Sequence, residues 1–87
     1  MASIIQIDID NHALIRAQER GTNEQEIRET IFAGEQFSAK RGRAGFRKNF
    51  VYKGVWVEKY FENKQLEVFA ARQENGWYVI TVITKFF

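Results

Sequence analysis

The hydrophobic pattern of this chain changes period near Gly34. From His12 to that residue, apolar side chains recur at the spacing of amphipathic helices, and after it they alternate with polar ones as in half-buried strands. Two helices are predicted, ending at Gly21 and Gly34, because glycine commonly follows the last turn of a helix. Residues able to cap the first turns stand just ahead of each helix: Asp10 or Asn11, then Thr22 or Asn23. The change of period predicts an α+β fold.

Four strands are predicted after Gly34, at about 45–52, 55–61, 65–72 and 77–84. Hairpin turns separate them at Lys53-Gly54, Glu62-Asn63-Lys64 and Glu74-Asn75-Gly76, and residues 39–44 are predicted to form a loop. Connections this short allow only antiparallel neighbours. The predicted fold is two N-terminal helices packed on one face of a four-stranded antiparallel meander, as a single domain over residues 1–87. A short extra strand is predicted over Ser3–Ile9, where Ile5, Ile7 and Ile9 alternate with Gln6 and Asp8.

The chain of 87 residues contains no cysteine and a single histidine. A disulfide framework, a thiolate metal site and a cysteine nucleophile are therefore excluded, and neither a metal nor another cofactor is expected. The N-terminal residues lack the basic and apolar regions of a secretory signal, and no apolar run approaches the ~18 residues of a membrane span. A cytoplasmic protein without a membrane partner is the expectation.

Charge is distributed unevenly along the chain. The first 39 residues hold three bases and seven acids, whereas the remainder hold ten bases and four acids. No acidic residue occurs from Gln36 to Val57, where six cations stand: Lys40, Arg41, Arg43, Arg47, Lys48 and Lys53. Cations beside phosphates release condensed counterions, so this basic segment, interleaved with aromatic residues, predicts a nucleic-acid partner. A solvated loop rich in Lys and Arg is the alternative.

Two helices cover only one face of a sheet, and the predicted strands carry no clearly polar second face. Trp56, Tyr60 and Trp77 stand among charged residues on these strands. Exposed aromatic groups mixed with charge are typical of a ligand platform or a subunit interface. Partly exposed aromatic side chains are also ordinary in a small domain.

The run HALIRAQERGTNEQEIRETIFAG, from His12 to Gly34, resembles a family of small prokaryotic proteins of unknown function. Its members share His-Ala-x-x-Arg-x-x-x-Arg-Gly, two further residues and Glu/Gln-x-x-Ile, and they end on a strand that carries a Thr. The family is similar in structure to RelE/ParE-type toxins and to colicin-like and barnase-like ribonucleases. The resemblance implies a RelE-like fold and assigns the motif to these positions: His12, Arg16, Arg20, Gly21 and Thr81. The tail departs from the pattern, because Val82–Lys85 separate the Thr from the next aromatic residue.

The spacing of His12, Arg16 and Arg20 places them on one stripe of the first helix. Metal-independent RNA cleavage needs a proton-transfer group and cations that stabilise the phosphate, and His12 suits proton transfer near neutral pH. Arg72 and Thr81, on the last two strands, are predicted to complete this catalytic set. Structural roles are the alternative, because His12 can help to cap the helix and the arginines can pair with glutamates or cover apolar surface.

The leading hypothesis is an RNA-binding protein that resembles RelE-type toxins, either a metal-independent endoribonuclease or a degenerate relative. The basic segment would hold the RNA backbone, and an antitoxin-like protein would be a second partner. The alternative is a non-catalytic interaction module that forms a homodimer or binds another protein through its exposed aromatic residues.

Overall fold

The computed structural model describes residues 5–87, so Ser3 and Ile4 of the predicted N-terminal strand lie outside the described part. A short 3-10 turn, Lys40–Gly42, precedes the third strand. The helices and strands follow in this order: β1 (Gln6–Ile9), α1 (Asn11–Glu19), α2 (Glu24–Ala33), β2 (Glu35–Ser38), β3 (Ala44–Trp56), β4 (Lys59–Gln73) and β5 (Gly76–Phe86).

Both predicted helices are confirmed, and side chains cap both. The Asp10 carboxylate accepts a hydrogen bond from the His12 amide at 3.1 Å, and the Asn23 side chain accepts one from the Glu26 amide at 2.9 Å. Each bond satisfies an amide that the first helical turn leaves unpaired. Gly21 follows α1 with φ of +79°, the left-handed backbone expected after a helix. Neither helix in residues 5–87 has the length and apolar character needed to cross a membrane.

The prediction of a four-stranded antiparallel meander is wrong. Within residues 5–87 the sheet has five strands in the order β1-β5-β4-β3-β2. β1 pairs with β5 in parallel, and the other neighbours are antiparallel, so the sheet is mixed. The parallel pair is possible because both helices lie between β1 and β5 in the chain and supply a long crossover. β1 confirms, within the described residues, the short strand predicted over Ser3–Ile9, whereas β2 is an addition that the sequence pattern did not predict.

Gly76 allows the backbone of β1 to lie close enough to β5 for the two strands to pair. A Cβ atom there would lie 1.8 Å from the carbonyl oxygen of Gln6 on β1. Any larger residue would therefore push β1 away from β5. The Asn-Gly dipeptide at 75–76 was predicted only as part of a turn, and β4 does end at Gln73 before the two-residue link to β5.

Two of the three predicted turns are wrong, because β3 and β4 form one long hairpin. Lys53-Gly54 lies within β3, where a bulge shifts the register between Val51 and Gly54. Residues 62–64 lie within β4. The chain reverses instead at Val57 and Glu58, both at positive φ, inside a segment predicted as strand. That turn lacks the Gly or Asn that normally marks one, so its sequence gave no signal.

The core lies between the helices and one face of the sheet. Small residues on α1, Ala13 and Ala17, are buried and let that helix pack closely on β5. α2 buries Ile27, Thr30 and Ile31 against β3 and β4. The sheet contributes a row of buried side chains to this core: Phe46, Leu66, Val68, Val79 and Val82. In residues 5–87 no helix covers the other face of the sheet, which is called the open face below.

Candidate nucleic-acid interface

A tight turn at one end of the sheet carries the first half of the basic segment. The backbone reverses at Arg41 and Gly42, with φ of 63° and 70°. The Ala39 amide donates to the Arg43 carbonyl at 2.9 Å and closes the turn. Arg41 is a non-glycine residue in the left-handed region, which costs on the order of 1 kcal/mol. The turn therefore holds three cations, Lys40, Arg41 and Arg43, within one compact segment.

A groove of about 520 Å³ lies between this turn and the open face. Phe69 of β4 and Thr81 of β5 pair across the two strands and form its floor. We call it the basic groove, and it is lined by Ser38, Ala39, Lys40, Arg41, Arg43, Phe69 and Thr81. Four residues predicted from the sequence, Thr81 and the three cations of the turn, are thus brought together.

The cations of the groove differ from their neighbours in the chain because no carboxylate in residues 5–87 forms an ion pair with them. Arg47 is held between Glu67, at 2.8 Å, and Glu35, at 3.4 Å. Lys48 pairs with Glu29 at 3.2 Å. The predicted run of six cations is therefore divided, and its positive charge is uncompensated mainly at the turn.

Lys53 is also separated from the groove. It lies near the opposite end of β3, ten residues after Arg43, and a strand of that length spans on the order of 30 Å. The six residues predicted to bind nucleic acid therefore do not form a single patch.

An aromatic pair extends the floor of the groove towards β2. The rings of Phe37 and Phe69 meet edge to face, with centroids 6.0 Å apart. Phe37 lies directly on Gly45, where a Cβ atom would come within 2.3 Å of the ring. The guanidinium of Arg47 covers the Phe37 ring at 4.5 Å. The alternating pattern placed Phe69 on a strand but did not single it out as a residue of the site. Phe37 was missed because β2 has only four residues, too few for a periodic pattern to show.

The helix residues of the predicted catalytic set do not line the groove. The His12 side chain is 91% exposed, and its Nδ1 lies 3.6 Å from the Asp10 carboxylate. Arg16 is exposed on the same helix. Arg20 donates to the carbonyl of Val82 at 2.5 Å, and Thr84 donates back to the Arg20 carbonyl at 2.6 Å. These two bonds join the end of α1 to β5, which is a structural role for Arg20.

Asp10 is part of a small polar cluster beside α1. The Tyr78 hydroxyl donates to its Oδ1 at 2.5 Å. This bond lowers the pKa of Asp10 below its ordinary 3.8, and the His12 amide adds to the effect. The same bond raises the pKa of Tyr78 above its ordinary 10.0. In residues 5–87 no group of three or more His, Cys, Asp or Glu side chains is close enough to hold a metal ion.

Arg72 and Thr81 lie near the same end of the sheet but on opposite sides of it. Thr81 belongs to the basic groove, whereas Arg72 pairs with Trp77 across β4 and β5 and lies over its ring at 4.6 Å. Arg72 and Arg43 both line a second hollow. Arg43 also lines the basic groove. Of the five predicted catalytic residues, two therefore lie at the basic end, whereas His12 and Arg16 lie on α1 and Arg20 follows its last residue.

The three aromatic residues predicted to be exposed differ in their surroundings. Trp77 is only 9% exposed and packs edge to face on Phe46. Trp56 stacks on Phe86 with ring centroids 4.9 Å apart. Tyr60 is 53% exposed and lies beside the turn of the β3–β4 hairpin.

Comparison with known proteins gives one family. The model of a domain of unknown function, DUF4258, matches residues 9–84, which include both helices, β2 to β4 and most of β5. Searches of curated proteins and of solved structures found no match. The chain therefore belongs to the DUF4258 family.

Proposed function

We propose that the protein binds single-stranded RNA in the basic groove. The observation that carries the proposal is a set of three cations, Lys40, Arg41 and Arg43, beside an aromatic and hydroxyl floor. No carboxylate of residues 5–87 pairs with them. Such cations can exchange their counterions for backbone phosphates without first breaking an ion pair.

The floor of the groove favours a single strand over a duplex. Phe69 is partly exposed there, and an aromatic side chain can stack on an unpaired base, whereas bases within a helix are already stacked. The Thr81 hydroxyl can donate to and accept from a ribose 2′-OH or a phosphate. A volume of about 520 Å³ falls in the range of pockets that hold a molecule of nucleotide size.

Binding without cleavage fits the groove better than catalysis. Neither a histidine nor a carboxylate lines it among the described residues, so the usual groups for moving the 2′-OH proton are missing from its walls. The relationship to RelE/ParE-type toxins and barnase-like ribonucleases rests only on the resemblance of the helical motif. Within this proposal the protein is a degenerate relative that keeps the RNA-binding surface.

Fluorescence anisotropy with a labelled single-stranded RNA tests the proposal. Replacing Lys40, Arg41 and Arg43 together by Ala is expected to weaken binding about 100-fold at 0.1 M salt. The slope of log Kd against log salt is expected to fall by about 2. In a matched control variant, Ala replaces Lys53, Lys59 and Lys85, which carry the same total charge but do not line the groove. The affinity of this control is expected to stay within a few-fold of that of the parent protein.

Two results would contradict the proposal. One is the absence of RNA binding at low salt by the unmodified protein, and the other is an equal loss of affinity in both triple variants. Incubating the same RNA with the protein tests the absence of cleavage. Cleavage that disappears in His12→Ala would restore the helix residues as the catalytic set.

Self-association is a second candidate function, and a specific surface favours it. The β3–β4 hairpin extends beyond β2, which pairs with residues 44–47 of β3. Among residues 5–87 no strand pairs with the outer edge of β3 further along. Val51, Val55, Val57 and Tyr60 are exposed along this hairpin. A free strand edge with exposed apolar side chains can pair with a second copy. Light scattering tests this candidate: a mass of twice 10.2 kDa that returns to the monomer value in Val55→Lys would support it.

A further inference from the structure

The floor of the basic groove lies on the open face, whereas the second hollow lies on the helix-covered face of the same sheet end. Its volume is about 460 Å³, and no helix residue in the described chain lines it. Its walls come from β2, the turn and the facing ends of β4 and β5, and the side chains used below are Gln36, Ser38, Arg43, Arg72 and Trp77. Arg43 and Ser38 line both the hollow and the groove, so the two spaces meet at these residues.

Arg72 presents a flat cationic surface to this hollow. Its guanidinium carbon lies 4.6 Å from the centre of the Trp77 ring, and Arg72 is itself exposed. Trp77 also lines the hollow but is only 9% exposed, so the guanidinium offers a ligand more accessible surface than the indole does. An arginine plane held by an aromatic ring can stack a nucleobase on its other side.

The remaining walls offer hydrogen bonds and a second positive charge. The side chains of Gln36 and Ser38 make no hydrogen bond to other residues in 5–87, and an amide beside a hydroxyl can both donate to and accept from the edge of a base. Arg43 and Arg72 form no ion pair within residues 5–87. No acidic side chain is among the described residues of the lining.

We infer that this hollow binds one nucleotide, with its base stacked on Arg72 and its phosphate at Arg43. The inference rests on the proposed function, because the bound nucleotide belongs to the RNA strand that lies in the basic groove. The strand crosses from one face of the sheet to the other at the turn, where Arg43 contacts both spaces. A free mononucleotide carries the same chemistry and is the other source of the ligand.

Tryptophan fluorescence tests this inference, because the chain has two tryptophans, Trp56 and Trp77. In a Trp56→Phe background the emission reports Trp77 alone. Titration with an oligoadenylate of eight nucleotides is expected to change that emission and to saturate with the anisotropy signal. Arg72→Ala in this background is expected to abolish the change and weaken binding about tenfold, the cost of losing one stacked base.

Two further variants separate stacking from charge. Arg72→Lys keeps the positive charge but lacks the planar group, so it is expected to lose the Trp77 signal while the salt dependence of binding stays unchanged. Lys59→Ala is the matched control, since Lys59 lies over the Phe61 ring on the same strand at 5.7 Å, far from the hollow. It is expected to bind and respond as the parent does.

The outcomes separate this inference from the proposed function. In the first outcome, Arg72→Ala keeps the parent's affinity and Trp77 response, whereas the variant with Lys40, Arg41 and Arg43 replaced by Ala loses binding. This result overturns the inference and leaves RNA binding in the groove intact. The second outcome is that adenosine monophosphate changes the Trp77 emission, that Arg72→Ala abolishes this change, and that the oligonucleotide does not bind. This result supports a nucleotide pocket but overturns the inference that the bound nucleotide belongs to an RNA strand. A response to neither ligand overturns the inference.

Discussion

Lys64 and Arg72 lie on the same strand, β4, and by alternation they project from the same face of the sheet, yet their surroundings differ. The Lys64 side chain is buried and donates to Glu26 at 2.6 Å and to the Gly21 carbonyl at 2.9 Å. Arg72 is exposed, lies over Trp77 and forms no ion pair with the residues described.

The contrast holds for the two ends of the sheet as a whole. At the hairpin end, the buried Lys64 pairs with the half-buried Glu26 and connects the sheet to α2 beside an aromatic cluster of Tyr52, Trp56 and Phe86. At the end that carries the turn, cations line two hollows, and no carboxylate is among the described residues that line them. Positive charge therefore has two uses in this chain: at one end it stabilises the fold, and at the other it is available to a ligand.

The largest expected effect is on stability at the hairpin end. Glu26→Ala leaves the buried Lys64 ammonium without its carboxylate and is expected to lower the free energy of unfolding by about 3 kcal/mol. Chemical denaturation measures this change. Glu24→Ala, which breaks the exposed pair with Arg28, serves as control and is expected to cost under about 0.5 kcal/mol. Similar losses in both variants would remove the distinction between buried and exposed charge.

A second test compares two strand glycines. Gly45→Ala places a Cβ atom 2.3 Å from the Phe37 ring and is expected to cost about 2 kcal/mol and to weaken RNA binding, because the displaced ring is next to Phe69. Gly54→Ala at the hairpin end meets only the partly exposed Tyr52 ring at 3.2 Å, and it is expected to change stability by under about 0.5 kcal/mol. Thermal unfolding of both variants decides the comparison, and equal costs would contradict it.

The hairpin turn offers a smaller, stabilising change. Val57 and Glu58 have φ of 50° and 66°, and a β-branched residue is strained there. Replacing them by Asn and Gly is expected to raise the free energy of unfolding by about 1 kcal/mol without changing RNA affinity. Reduced stability in a denaturation series would show that the hairpin has a different turn.

The smallest expected effect concerns pH. The folded pKa of Asp10 is lowered, so its contribution to stability is present above pH 3.8 and is lost as pH falls through the lowered value. In Tyr78→Phe the pKa of Asp10 is expected to rise towards its ordinary value, which makes stability less dependent on pH in this acidic range. NMR titration of the Asp10 carboxyl measures the shift, and an unchanged pKa would exclude the Tyr78 bond as its main cause.

Local signals predicted the helices well but not the sheet. Asp10 and Asn23 act as caps because capping depends on residues within one turn. The parallel pairing of β1 with β5 depends on the approach of Gln6 to Gly76, which are distant in the sequence. The long hairpin escaped prediction because its turn lacks Gly and Asn and because Gly54 belongs to a bulged strand rather than to a turn.

In the candidate site too, the sequence predicted local features but not those that depend on strand pairing. The acid-free segment of the sequence contains the turn that carries Lys40, Arg41 and Arg43. The pairing of Arg47 with Glu35 and Glu67 follows from strand register, which local patterns do not specify. The sequence therefore predicted a basic region but not which of its charges are compensated.

Chemical-shift mapping by NMR with an unlabelled single-stranded RNA tests the contrast between the two ends most directly. The predicted result is that amide shifts cluster at residues 36–44, 69–72 and 77–81 and decrease as salt is raised. Shifts concentrated at residues 50–63, or no shifts at low salt, would contradict the assignment of ligand binding to the end that carries the basic turn.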